Sequence, residues 1–355
     1  MRAARLALMR VAIVRPFERF LRRIGAPVER IAERVHLPIE LLRDPEALLP
    51  VWLGTAFVAE AARVSGVEHL GATVAATTHV AELGTYGRML ARAASLQDVL
   101  ATARRFHASH HSGEAYWFDA AHAPPLLCQR FTVRLDDPNG QMSQYAILLV
   151  AGLLASLARG AWRPTIHLRK EVPRSVADTP WNERVDLRFG GDRCAVALEP
   201  RVLPMTASPA GSPVHATREL VDWYGTRPAA ALVPSLRQWL GRVLRTDAVR
   251  IEVLAETIGT TPRTLQRRLA EAGTTYARVL GETRFQVAAD LLARDIEIRE
   301  VARAVGYRDG AHLTRAFRRW SGATPSAYRG RVRAAFAGTA PPPVRRAVAQ
   351  WQPVV

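Results

Sequence analysis

The chain has 355 residues, 49 basic against 32 acidic side chains, a formal net charge of +17 and two cysteines. This length and aliphatic content allow two or three domains and exclude a disordered chain, while two cysteines exclude a disulfide framework and fit a reducing compartment. The charge favours acidic partners such as nucleic acid or an anionic membrane surface, but the basic residues are arginine except for Lys170, so position on a helix must carry the argument.

The start, MRAARLALMRVAIVRP, is broken by Arg10 and Arg15 and does not read as a signal peptide; Met1 and Met9 are both available as start residues. Residues 1–105 read as largely helical. PVERIAERVHLPIELL and LGTAFVAEAARVSG carry helical spacing, the latter closed by Gly66, and Ser95 is placed to cap SLQDVLATARRF. EAYWFDA and LLCQRFTVRL then read as strands around Pro124 and Pro125, DDPNG breaks the chain, and a helix is expected over residues 141–160. Its apolar run, Ala146 to Ala158, is too short to span a bilayer and ends at Arg159, so a buried helix and a cytoplasmic protein with no membrane partner are expected. PTIHLRKEV, VDLRFG and CAVALE are further strand candidates. The expected organisation is an α+β domain over 1–205, a small-residue linker region over 206–234 that holds TASPAGSP, an all-α domain over 235–333 and a disordered tail over 334–355.

The all-α part contains a repeat. Ala255, Ile258-Gly259, Leu265 and Leu269 correspond to Ala302, Val305-Gly306, Leu313 and Phe317, and the copies close at Gly273 and Gly322, with Pro325 beyond. Helix, glycine turn and second helix is the helix-turn-helix unit. Thr261 and Asp309 are placed to N-cap the two second helices, and Pro262 sits at a first helical position. With Leu265 and Leu269 inward, Arg263, Gln266 and Arg267 share the opposite side. With Leu313 and Phe317 inward, His312, Arg315 and Arg319 point out. Arginine and glutamine carry bidentate donor sets matching guanine and adenine edges in the major groove, and arginine also suits phosphates. The segment between the copies predicts a linker helix with Tyr276, Leu280, Thr283, Val287 and Leu291 on one stripe. Nineteen helical residues reach about 28 Å, close to one turn of B-DNA, about 34 Å. From Ser235 to Ala335 there are 19 arginines and 10 acids, a balance of +9.

TTPRTLQRRLAEAGTTY and VARAVGYRDGAHLTRAFRRWSGATPSAYR resemble the DNA-binding domain of AraC/XylS-type transcriptional regulators. LGTYGRMLARAASLQDVL, GAWRPTIHL and VDLRFGGDRCAVALEPRVL resemble the ligand-binding domain of one AraC-type subgroup, often labelled arabinose-binding. The resemblance implies two helix-turn-helix units joined by a linker helix, binding double-stranded promoter DNA, with an N-terminal α+β sensor answering to a small-molecule effector or mediating self-association as a homodimer. It implies that Arg263, Thr264, Gln266, Arg267, His312, Arg315 and Arg319 contact DNA, and that activation runs through RNA polymerase. Gly310 and Ala311 stand where family members often carry polar side chains, which implies fewer base contacts from the second helix.

Other patterns point to no enzyme, cofactor or metal. His107, His110 and His111 cluster at a helix-to-strand junction without a nearby cysteine pair. Cys128 reads as a small core residue. DNA-repair alkyltransferases can share the AraC-type domain, but their Pro-Cys-His-Arg site is absent, as are G-x-S-x-G, H-E-x-x-H and G-x-x-x-x-G-K-[ST]. Trp52, Tyr116, Trp117 and Phe118 are candidates to line a pocket, or are core or surface aromatics. The alternatives are a DNA-repair or other enzyme with an appended AraC-type DNA-binding domain, for which alkyl transfer to Cys128 or Cys194 would speak, and a ligand-independent oligomeric regulator.

Overall fold

The computed structural model describes residues 6–133, 135, 137, 139–158, 162–199 and 218–335. They fall into two compact units that divide between Ala230 and Ala231. The tail after Ala335 and most of the expected small-residue linker lie outside the described residues.

The first unit opens with β1 (Leu8–Arg10), paired antiparallel with β2 (Leu48–Pro50) so that Leu8 lies opposite Pro50. The first 105 residues are therefore not helical throughout. Each strand is only three residues long, too short to show alternation, and its partner is distant in sequence. Between them lie α1 (Arg15–Arg23) and α2 (Val28–Arg34), followed by α3 (Val51–Ser65), α4 (Leu70–Thr77), α5 (Gly84–Ala91) and α6 (Leu96–His110). Gly66 ends α3 in the left-handed region, φ +70°. The Ser95 hydroxyl caps α6 by accepting from the Asp98 amide at 3.1 Å.

The remaining strands form one sheet: β3 (Glu114–Asp119), β4 (Leu126–Phe131), β5 (Thr165–Arg169), β6 (Asp186–Gly191) and β7 (Cys194–Ala197), in spatial order β3-β4-β7-β5-β6. All neighbours are antiparallel except β5 and β6. Between β4 and β5 runs α7 (Gln141–Leu157), which packs against α3 and α4 and against β5 and β7. Being covered on several sides accounts for its nearly continuous apolar sequence. Gly71 permits the close approach of α4: a Cβ there would meet the Gln141 carbonyl oxygen at 2.0 Å. The Gly71 amide instead donates to Gln141 Oε1 at 2.8 Å. A short α8 (Trp181–Arg184) precedes β6.

Residues expected to be linker include α9 (Arg218–Gly225), whose Trp223 is buried. Arg10, fully buried, holds this helix. Its Nε donates to the Ser109 carbonyl at 3.2 Å, Nη1 to the Glu46 carbonyl at 2.6 Å and the Thr226 hydroxyl at 3.2 Å, and Nη2 to the Trp223 carbonyl at 2.9 Å. The guanidinium carbon also lies 5.0 Å from the Trp223 ring centre.

The second unit is all helix: α10 (Leu232–Val243), α11 (Ile251–Thr257), α12 (Pro262–Glu271), α13 (Tyr276–Ala293), α14 (Ile298–Ala304), α15 (Gly310–Ser321) and α16 (Pro325–Ala335). The central α13 packs against α10, which precedes the first copy, and against α14, α15 and α16. It is therefore buried along two lines rather than one. Val279, Thr283, Ala288, Ala289 and Leu292 are its buried residues, whereas Tyr276, Leu280, Val287 and Leu291 of the predicted stripe are half-buried. Around it, Leu244, Val301, Val305, Leu313 and Phe317 form a core with Phe285, Trp320 and Tyr328 packed on it.

Candidate nucleic-acid interface

Each copy positions its second helix by the same devices. In the first, Ala255, Leu265 and Leu269 are buried, Gly259 turns the chain at φ +67°, and the Thr261 hydroxyl accepts from the Thr264 amide at 3.2 Å. In the second, Ala302, Leu313 and Phe317 are buried, Gly306 turns at φ +77°, and Asp309 Oδ1 accepts from the His312 amide at 2.8 Å. Gly322 ends α15 at φ +71°, and Pro325, buried, opens α16. Gly306 is required twice over, by its conformation and because a Cβ would meet the Leu244 carbonyl oxygen at 2.2 Å.

The outward faces of α12 and α15 are basic. Arg263, Gln266 and Arg267 are exposed on α12, and His312, Arg315, Arg318 and Arg319 on α15. Among the described residues, Arg263, Gln266, Arg315 and Arg319 make no hydrogen bond or ion pair, so their donors are free to meet a ligand. Others are engaged. Arg267 pairs with Glu271 at 2.6 Å. The Thr264 hydroxyl accepts from that of Thr261 at 3.0 Å, within the cap. His312 Nδ1 lies 2.9 Å from both Asp309 oxygens. The His312 amide bond, and then its ring, hold the Asp309 carboxyl below its ordinary range.

Other arginines of this unit are engaged within the fold. Arg278 reaches Glu282 at 2.9 Å, and Arg237 of α10 reaches the same carboxylate. Asp295 receives Arg329 at 3.6 Å and also Arg333. Arg284 lies over the Tyr307 ring at 5.1 Å. The Arg278–Glu282 spacing of four is visible in sequence; the Arg237 and Asp295 contacts join distant segments and carry no sequence signal.

In the first unit, the histidines at the end of α6 line a cavity of about 110 Å³ with Tyr86, Glu114 and Tyr116. Glu114 Oε1 accepts from Gln129 Nε2 at 2.6 Å and from the Tyr116 hydroxyl at 3.2 Å, and Glu114 Oε2 lies 3.3 Å from His107 Nε2. Burial opposes ionisation of Glu114, but the His107 bond, the charges of His111 and His107, and Gln129 hold its pKa below the usual range. Among the described residues, no group of three or more His, Cys, Asp or Glu side chains is disposed to hold a metal. Of the other aromatic candidates, Tyr116 lines the cavity, Trp117 packs on Cys128, Phe118 is exposed and Trp52 is half-buried. No helix among the described residues is long and apolar enough to cross a membrane.

Residues 25–206, just over half of the chain, match the model of the arabinose-binding domain of AraC transcription regulators, and residues 254–331 match a helix-turn-helix domain model. The chain is 45% identical over 83 residues to the HTH-type transcriptional regulator RipA of Corynebacterium glutamicum, covering 23% of this chain and 25% of that protein. It is 31% identical over 147 residues to the HTH-type transcriptional regulator VirS of Mycobacterium tuberculosis, covering 40% of this chain and 43% of that one. The chain thus spans a quarter to under half the length of these curated relatives. The crystal structure of the transcriptional regulator CdpR from Pseudomonas aeruginosa aligns at 21% identity and a TM-score of 0.39, over 89% of this chain and 97% of that one.

Proposed function

The chain belongs to the AraC family of transcriptional regulators, and from that premise we propose that it binds promoter DNA sequence-specifically through α12 and α15 under the control of a small-molecule effector sensed by its first unit. The observation that carries this reading is the division of labour among the arginines. On α12 and α15 the unpaired donors of Arg263, Gln266, Arg315 and Arg319 stand on capped helices fixed by buried residues. Such rigid display suits base reading, in which a planar guanidinium or amide meets two acceptors or a donor–acceptor pair on one base edge. Arg267 and His312, already held by Glu271 and Asp309, suit contacts that need less directional precision, namely phosphates. With 18 residues, α13 is about 27 Å long, comparable with the repeat of successive major grooves, about 34 Å, which supports two reading helices on one duplex.

The effector acts by favouring one arrangement of the protein over another, since a ligand that binds both equally shifts nothing. The protein works in the cytoplasm, where it meets promoter DNA and RNA polymerase, and self-association would pair two such readers on one promoter. Alkyl transfer lacks comparable support. Both Cys128 and Cys194 are buried, and burial raises both thiol pKa values, that of Cys194 to about 11.

The test is selection of bound sequences from random DNA by the full chain. A recurrent motif with two half-turn elements spaced by about one helical turn is expected, with affinity rising uniformly as salt is lowered. Recovery of unselected sequence would remove the reading.

A further inference from the structure

We propose that the first-unit cavity is the effector site, and that it takes a compact, largely apolar molecule of about one ring with a single uncharged hydroxyl head held by His110. The proposal deepens the regulator reading and rests on it. The polar groups of the cavity gather together: His107, His110 and His111 come from the end of α6, Glu114 and Tyr116 from β3, and Tyr86 from α5. Tyr86 stacks on His110 with ring centres 4.6 Å apart, and Tyr116 meets His107 edge-on at 5.0 Å. Residues such as Val80, Leu90, Leu127, Leu149 and Leu154 supply apolar wall.

Within the polar group some atoms are accounted for. Glu114 takes Gln129, Tyr116 and His107, and His111 Nδ1 accepts from the Gly113 amide at 3.1 Å. Left without a hydrogen bond are His111 Nε2, the Tyr145 hydroxyl, His107 Nε2, whose contact with Glu114 is an ion pair, and both ring nitrogens of His110, a residue only 3% exposed. Buried polar groups are rarely left unbonded, and when they are the cause is often a missing guest or water. Burial first, then the charges of His107, His111 and Arg10, keeps His110 neutral, so its ring offers one donor and one acceptor. A hydroxyl both gives and accepts, which is the complement.

Size and charge narrow the class. At about 110 Å³ the cavity is somewhat smaller than the roughly 150 Å³ apolar cavity known to take benzene. A carboxylate guest would face the buried charge of Glu114, while Arg10 is already taken up by three carbonyls and Glu46. A sugar would set several of its hydroxyls against the apolar wall and bury them unpaired.

The test is calorimetric titration of the full chain with phenol, benzene, benzoate and L-arabinose at neutral pH. Phenol should bind about fivefold more tightly than benzene, the worth of one neutral hydrogen bond, and benzoate and arabinose should not bind. His110→Leu should bring phenol down to the benzene level and leave benzene unchanged, and Ala103→Phe should exclude both by filling the cavity. Equal binding of phenol and benzene by the unaltered chain, uptake of arabinose or benzoate, no binding of any probe, or phenol binding untouched by Ala103→Phe would each overturn the proposal, and the first three need no variant to fold. DNA binding is scored on the same samples. Its loss removes the regulator reading, whereas intact DNA binding without phenol uptake removes the cavity assignment alone.

Discussion

Arginine is so common in this chain that no single one is informative by type; its neighbours make it so. Arg278 sits 2.9 Å from Glu282, whereas Arg315, one of several arginines on α15, makes no ion pair among the described residues. The two residues should therefore answer differently to the same change. Arg315→Ala, like Gln266→Ala, should cost about 1–3 kcal/mol on the selected site and relax preference at one base position. Arg278→Ala should leave specificity unchanged and lower the second unit's stability by under about 1 kcal/mol, the usual worth of an exposed pair. Fluorescence anisotropy on selected and random duplexes, with urea unfolding alongside, separates the two. An equal loss on both duplexes for Arg315→Ala would mean that it contacts phosphate only.

At the level of elements, the turn glycine and the closing glycine of a helix-turn-helix copy differ in how tightly they are bound to the fold. Gly306 has φ +77° and would direct a Cβ into the Leu244 carbonyl, while Gly273 has φ +72° and open space. Gly273→Ala should cost about 1 kcal/mol, the left-handed penalty alone. Gly306→Ala should cost about 2–4 kcal/mol, because backbone must also move. Denaturation midpoints of the two variants check this ordering. The turns themselves were legible from the sequence, since glycine, cap residue and apolar spacing are all local signals. So were α7 and the five strands of the sheet, at least as segments. The β1–β2 pair was not, because three-residue strands carry no period and their pairing is non-local. The two-sided burial of α13 was missed for a similar reason: a helix between two small cores shows two weak stripes rather than one strong one. Within the histidine cluster, spacing identified the residues, but only the fold shows that Tyr86, Glu114 and Tyr116 meet them.

Across the whole molecule, acid should act unevenly. Burial, aided by the charges of His107, His111 and Arg10, holds His110 neutral, and burial lowers His111 to about 4 despite the nearby Glu114. In an unfolded chain both would take up a proton near pH 6.5. Between that pH and the folded values the unfolded state binds more protons, so the stability of the first unit falls as pH drops. Glu60, held at about 2 mainly by Arg63, with Arg34 adding to it, is a folded carboxylate with a depressed pKa and contributes a further loss below about pH 4.5. The single histidine of the second unit's described residues, His312, is exposed. Hydrogen exchange followed by mass spectrometry at pH 7.5 and 5.5 should show protection lost first in the first unit; equal loss in both units would contradict it. Arg10→Met should destabilise the first unit by about 3 kcal/mol, as expected when the donor to several buried acceptors is removed, and a urea midpoint measures it. Sequence reading took Arg10 as an interruption of an apolar stretch, and only the fold shows why a cation belongs there. Its guanidinium is a flat, inextensible plate gripped by the chain at residues 46, 109 and 223. Three stretches remote in sequence are thereby geared together, and whatever shifts the foot of α6 must drag α9 along with it or strip a cation of its partners in a dry place.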